Sequence, residues 1–316
     1  MRPTAVGPAP RAARVREAGA VSEATAMDDG TLAGLLATLD LHADASGDPD
    51  TFLGDSQRQP WGRVFGGQVL GQSIVAAQRT VDPDRPIHSM HGYFLRAGDD
   101  LEPITFSVER LRDGTSFSAR RVQALQQGRP ILSMIASFQL PATGLDHQAL
   151  APDVPGPESL PSLQDRYQDV QSEATVRWRR PRPFDLRHVD EPVFVRAAQE
   201  PARRQCVWMR ATGPMPDDPA LHSAVIAYAS DYSMLEPVLR AHGLAFADSG
   251  LKMASLDHAM WFHRPARADE WLLYVLESPS AQGARGLGTG QIFTRDGVLV
   301  ATVAQEGMIR LPRTQG

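Results

Sequence analysis

The sequence predicts an α+β protein built from two copies of one unit, a long helix followed by a four-strand antiparallel meander. Three observations carry this. Two helical patterns, at 65–81 and from Asp217 to about 236, are each followed by four strand-like runs. The late strands YVLESPSAQGARGLGTGQIFTRDGVLVATVAQEG echo FSVERLRDGTSFSARRVQALQQGRPILSMIASFQ in order, length and turn placement. Between the copies lies 141–182, rich in proline and polar residues, which reads as a linker with one helix near 159–175. Periodicity alone reaches α+β with a pseudo-twofold axis and stops there.

The elements follow in order. Residues 1–27 have neither a secretory apolar core nor apolar periodicity, so a disordered tail is expected. DDGTLAGLLATLDL (28–41) is a capped amphipathic helix with Leu32, Leu35, Leu36 and Leu39 on one face. FGGQVLGQSIVAAQRTV is a helix entered through Gly66 and Gly67. Strands are expected at about 86–95, 104–112, 116–126 and 130–139, closing the first half (28–140). In the second half (183–312), Asp217 and Asp218 cap a helix with Pro219 at its first position. It should run to about Glu236, where Pro237 ends or kinks it. Strands are expected at about 251–264, 270–278, 284–294 and 298–310.

Composition excludes several function classes. Of 316 residues, 42% are apolar and 22% charged, as in a soluble globular protein. A net charge of −5 offers no footprint for nucleic acid. The single cysteine, Cys206, rules out an internal disulfide and a multi-cysteine zinc site and suits a reducing cytosol, so cytoplasm is the expected location. No apolar run approaches a membrane span. His88-x-x-His91 and His258-x4-His263 have odd spacings that put each pair on opposite strand faces, against a shared metal. Neither a Gly-x-Ser-x-Gly elbow nor a phosphate or dinucleotide loop occurs, and nothing calls for a cofactor.

One carboxylate stands out. Leu221, Ala224, Tyr228, Asp231 and Leu235 form a core-facing stripe, and Asp231 is the only formally charged residue between Asp218 and Glu236. A carboxylate on such a face must be paired, hydrogen-bonded or used. Taken alone, it is more often a structural hydrogen-bonder than a catalyst.

Six segments in uninterrupted order weigh the other way: FGGQVLGQSIVAAQ, HSMHGYFLRAGD, RDGTSFSARRVQALQQGRPI, AYASDYSM, SLDHAMWFHRP and VATVAQEGMIR. Together they resemble the acyl-CoA thioesterase II family over about residues 30–312. The resemblance implies a tandem double hotdog fold, in which each half is a helix wrapped by its own sheet. It implies hydrolysis of fatty acyl-CoA to a free fatty acid and coenzyme A. It also implies an aspartate, a hydroxyl residue and a glutamine around the attacking water, which fall on Asp231, Ser255 and Gln305. Some members have threonine where this chain has Ser255. Hotdog sheets commonly pair between copies, so a homo-oligomer is expected.

The chemistry fits without the resemblance. A thioester needs a positioned water, a base and donors for the developing oxyanion, but no metal. Burial among Ala, Tyr and Leu should raise the pKa of Asp231 towards neutral. Gly66 and Gly67 either supply N–H donors to the carbonyl at a helix start or simply allow close packing. Arg120, Arg121 and Arg285 are candidates for coenzyme A phosphates, against the plainer reading of solvated strand arginines. Two other functions compete. A hotdog enoyl-CoA hydratase would use an aspartate and a histidine five residues apart, as in Asp217 and His222, and a non-catalytic acyl-CoA-binding module would bind without turnover.

Overall fold

Alternating apolar side chains pair the strands into one antiparallel sheet in the structure, a computed structural model that describes residues 30–168 and 181–312. The expected N-terminal tail lies outside those residues. In the first half, α1 (Leu32–Leu39) is followed by β1 (His42–Ala43), β2 (Thr51–Gly54) and α2 (Gly66–Gln78). β3 (Ile87–Phe94), β4 (Ile104–Asp113), β5 (Phe117–Gln126) and β6 (Arg129–Gln139) complete it. β4, β5 and β6 pair in succession, but β3 pairs with β6 and not with β4, so the expected four-strand meander is reordered. The second half runs β7 (Phe184–His188), β8 (Arg204–Ala211), α4 (Pro219–Ser230) and α5 (Glu236–Ala241). It ends with β9 (Lys252–Ser255), β10 (Asp257–Phe262), β11 (Leu272–Gln282), β12 (Arg285–Thr294) and β13 (Leu299–Arg310).

The strand order is β1-β2-β4-β5-β6-β3-β10-β13-β12-β11-β8-β7, with β9 pairing β13. This order is a palindrome about the antiparallel β3–β10 pair, in which Met90 stands opposite Met260. Each half contributes one long helix. α2 packs on α4, and Gly67 and Gly71 allow the close crossing, since a methyl group on Gly67 would collide with the Tyr228 carbonyl.

Four strands lie outside the expected set. β1 and β2 are short, and β8 lacks alternation because most of it is buried on both faces. The second cover of β8 comes from the stretch read as a linker. Val154 and Leu160 pack with Cys206, Trp208 and Trp271, the Trp208 indole donates to the Pro155 carbonyl, and Gln148 bonds Gly297 and Leu299. Because that sheet face is too apolar to leave in water, residues 148–168 are tied to the second half, while Leu145 and Leu150 stay exposed. The helix expected at 159–175 appears as a turn of 3-10 helix at Pro157–Ser159 and α3 (Leu163–Tyr167), capped by Ser162; its end lies outside the described residues.

Two further corrections shape the site. The helix expected to reach about residue 236 stops at Ser230, with Asp231 as its C-cap. Pro237, which cannot donate an N–H, falls in the first turn of α5 instead. The strand expected at 251–264 breaks at Leu256, whose N–H donates to the Glu306 carbonyl while its own carbonyl accepts from Phe94.

Candidate active site

The C-terminal end of α4 meets the N-terminal end of α2 at the floor of a cleft of about 1060 Å³. Asp231 reaches this floor because α4 ends at that residue. Its Oδ2 accepts from the Gly67 N–H at 2.9 Å, across 164 residues of sequence. A methyl group on Gly66 would stand 2.7 Å from the same oxygen, so both glycines clear space for the carboxylate. Gly67 thus spends its N–H on Asp231 and not on a substrate carbonyl. Gly66, at the first helical position where N–H groups have no intrahelical partner, lines the cleft.

Gln305, on β13, is buried, and its side chain lies near enough to Asp231 to pull the carboxylate's pKa down. Its Nε2 also donates to Ser255 Oγ at 2.9 Å, at the end of β9. Asp231, Ser255 and Gln305 therefore line one cleft, in which Gln305 and Ser255 hydrogen-bond each other beside the carboxylate. Burial pushes the Asp231 pKa from 3.8 up to about 6, against the opposing pull of the Gln305 and Gly67 donors. A carboxylate of this kind is ionised near neutral pH yet basic enough to take a proton from water.

Behind Gln305 lies a histidine that sequence reasoning gave no role. His258 Nδ1 hydrogen-bonds Gln305 Oε1, and its Nε2 is 3.0 Å from Ser230 Oγ. His258 is fully buried and does not line the cleft. Burial drives its pKa down to about 4, so it is neutral at working pH.

The cleft walls are largely apolar: Phe65, Val69, Phe94, Ile131, Leu235 and Phe246. Its mouth carries Trp61, Arg58, Arg63 and Arg96. These basic residues are not the ones the sequence suggested. Arg120 is 1% exposed, and its guanidinium is used on Thr80, Asp113 and the carbonyls of Arg112 and Ala119. Arg121 pairs with Glu109 and Arg285 with Glu306, and neither lines the cleft. Strand alternation points Arg120 inward under Thr80, which a count of charges along a strand does not foresee. The usable signal was RQPWGRV, a basic and aromatic loop directly before α2.

The pair that would serve a hydratase lies elsewhere. Asp217 is exposed and bound to Arg267, while His222 Nδ1 accepts from the Ala268 N–H, and neither lines the Asp231 cleft. Among the described residues there is no cluster of three metal-ligating side chains and no helix long and apolar enough to cross a membrane.

Comparison with known proteins decides the class. Residues 187–308 match the acyl-CoA thioesterase family, and residues 56–139 match the acyl-CoA thioesterase N-terminal domain. The mouse acyl-coenzyme A thioesterase 8 is 43% identical over 265 residues, covering 79% of this chain and 81% of that protein. Acyl-CoA thioesterase 2 of Haemophilus influenzae is 39% identical, covering 82% of this chain and 92% of that one.

The chain belongs to the acyl-CoA thioesterase family.

The solved acyl-CoA thioesterase II of Mycobacterium marinum superposes on this thioesterase with a TM-score of 0.72 at 44% identity, covering 88% of this chain and 98% of that one. A protein from Alicyclobacillus acidocaldarius described as having a hot dog fold gives a TM-score of 0.69 at 19% identity over 91% of this chain, a likeness of fold alone. The thioesterase is a hotdog-fold acyl-CoA hydrolase.

Proposed function

We propose that Asp231 is the general base of this hydrolase, acting on a water that Ser255 and Gln305 help to hold. The single observation behind this reading is that a carboxylate with a pKa near 6 shares one cleft with a serine and a glutamine that hydrogen-bond each other. Asp231 takes a proton from the water as its oxygen bonds to the thioester carbon. The tetrahedral intermediate then expels the coenzyme A thiolate, which recovers that proton from Asp231. The Gly66 N–H at the start of α2 is the candidate donor to the developing oxyanion. The apolar walls accept the acyl chain, while Arg58, Arg63 and Arg96 at the mouth suit the phosphates of coenzyme A and Trp61 offers a face for its base. This arrangement replaces Arg120, Arg121 and Arg285 in that role.

The palindromic strand order supports the finer reading that residues 28–140 and 183–312 are two hotdog units in tandem. Ile135 and Tyr93, 50% and 64% exposed on neighbouring strands, support self-association through the sheet. A homo-oligomer and a cytoplasmic location belong to the same proposal. The decisive experiment is a thiol-release assay over a series of acyl-CoA lengths, with Asp231→Asn as control. Release by the wild type and not by the variant is expected. Binding without release would favour the acyl-CoA-binding module, and hydration of a crotonyl thioester would favour the hydratase.

A further inference from the structure

We infer that His258, held by Ser230, is a positioning residue that locks the Gln305 amide with its nitrogen facing Asp231 and Ser255. The inference rests on the catalytic reading of Asp231 and Gln305 above.

The two halves of the fold provide an internal control. The turns before β6 and β13 carry Gly128 and Gly297, both at positive φ, and aligning them places Ala136 where the other half has Gln305. Met90 stands opposite Ala136 in the β3–β6 pair. Continuing the β10–β13 register one residue beyond Ala259–Ala304 puts His258 opposite Gln305 in the same way. Met90 and Ala136 are both fully buried. The framework therefore closes at this position with an apolar pair, and packing does not call for a buried histidine and glutamine. Only the half that carries Asp231 has them. At the matching helix ends, Arg79 is the C-cap of α2 where Asp231 caps α4.

Proton counting assigns the direction of the network. A neutral imidazole has one N–H and one acceptor nitrogen. With the proton on Nδ1, His258 donates to Gln305 Oε1, and the one Ser230 hydroxyl proton goes to Nε2 at 3.0 Å in place of its other acceptor, the Ala227 carbonyl at 2.8 Å. The Gln305 N–H groups then face Ser255 and the Asp231 carboxylate. The opposite tautomer calls for a flipped amide, which would aim its carbonyl oxygen at an ionised carboxylate. An unanchored glutamine would sample both orientations, and in one of them acceptor meets acceptor at the base.

Three variants test this through thiol release, measured as kcat, KM and a pH profile. His258→Met copies the residue that the first half already buries at this position, so folding should survive. Its kcat should fall about ten-fold or more, the scale of one functional hydrogen bond, with KM within about two-fold. Because the Gln305 donor lowers the Asp231 pKa, loosening it should move the acid limb of kcat/KM to higher pH. The other groups facing Asp231 are unaltered by this change: the Gly67 N–H, the neutral phenols of Tyr228, Tyr232 and Tyr274, and Arg182 across the Tyr232 ring. His258→Asn returns a short N–H near the Nδ1 position and should recover part of both effects. In Gln305→Ala, adding His258→Met should cost no further activity, because the histidine acts only through the amide. Wild-type kcat in His258→Met, an unmoved acid limb, or losses that multiply in the double variant would overturn the inference while leaving the role of Asp231 intact. An active Asp231→Asn would instead remove the reading beneath it. If His258→Met does not fold, Ser230→Ala probes the same chain from its far end, and an unchanged kcat and acid limb there overturns the inference.

Discussion

Replacing Asp231 with asparagine should make the protein inactive and more stable at once. The side chain keeps its shape, and an amide oxygen can still accept from the Gly67 N–H. What disappears is the base, so kcat should drop by about 10²–10⁴, the usual worth of positioned proton transfer. The stability gain follows from the pKa. Asp231 is raised by burial from 3.8 to about 6, so between those values the folded protein binds more protons than the unfolded chain. Stability of the wild type therefore falls as pH rises through that window, and the folded state holds a strained charge above it. Two pKa units correspond to about 3 kcal/mol, and contact with the water-filled cleft screens part of this, leaving about 1–3 kcal/mol. In a domain of this size the gain is a few degrees in Tm at pH 7.5, shrinking towards zero near pH 4, where the wild-type carboxyl is also neutral. Thermal unfolding at both pH values, beside a thiol-release assay, reads the two effects together. A variant that lost stability at pH 7.5, or kept most of its activity, would refute the reasoning, because a structural aspartate loses stability when its charge is removed.

Other outcomes follow from the same site. In the wild type, kcat/KM should decline below about pH 6 as Asp231 takes up a proton, and this limb should be absent from the residual rate of Asp231→Asn. Gln305→Ala should lower kcat far more than it raises KM, since the amide contacts Asp231 and Ser255; a pure KM effect would place it in substrate binding instead. Ser255→Ala should cost about ten-fold in kcat while Ser255→Thr keeps or modestly raises it, because the β-branch restricts the hydroxyl rotor; equal activity of Ala and wild type would make the hydroxyl a bystander. Gly67→Ala should destabilise the fold by about 1–3 kcal/mol in denaturant unfolding, as its methyl group collides with the Tyr228 carbonyl and separates α2 from α4; wild-type stability would mean that the helix pair yields freely.

By itself the sequence determined the repeated succession of a helix and its strands, the cap at Asp218, and the presence of an acid on an apolar helix stripe. These are readable because each rests on neighbours within about four residues: periodicity, a capping side chain, a turn glycine. The matched segments also identified the family and singled out Asp231, Ser255 and Gln305. Tertiary structure decided the rest. The end of α4 at Ser230 brings Asp231 to the Gly67 N–H, and no local signal distinguishes that end from a helix running on to Pro237. The double-sided burial of β8 depends on a proline-rich stretch that reads as free linker until it is packed on the sheet. Arg120 is a plausible phosphate ligand in the sequence and a buried structural cation in the fold, because its partner Thr80 lies forty residues away. His258 acquires a role only beside Gln305. Burial, pairing and pKa are properties of what surrounds a side chain, and for these residues the surroundings come from distant parts of the chain.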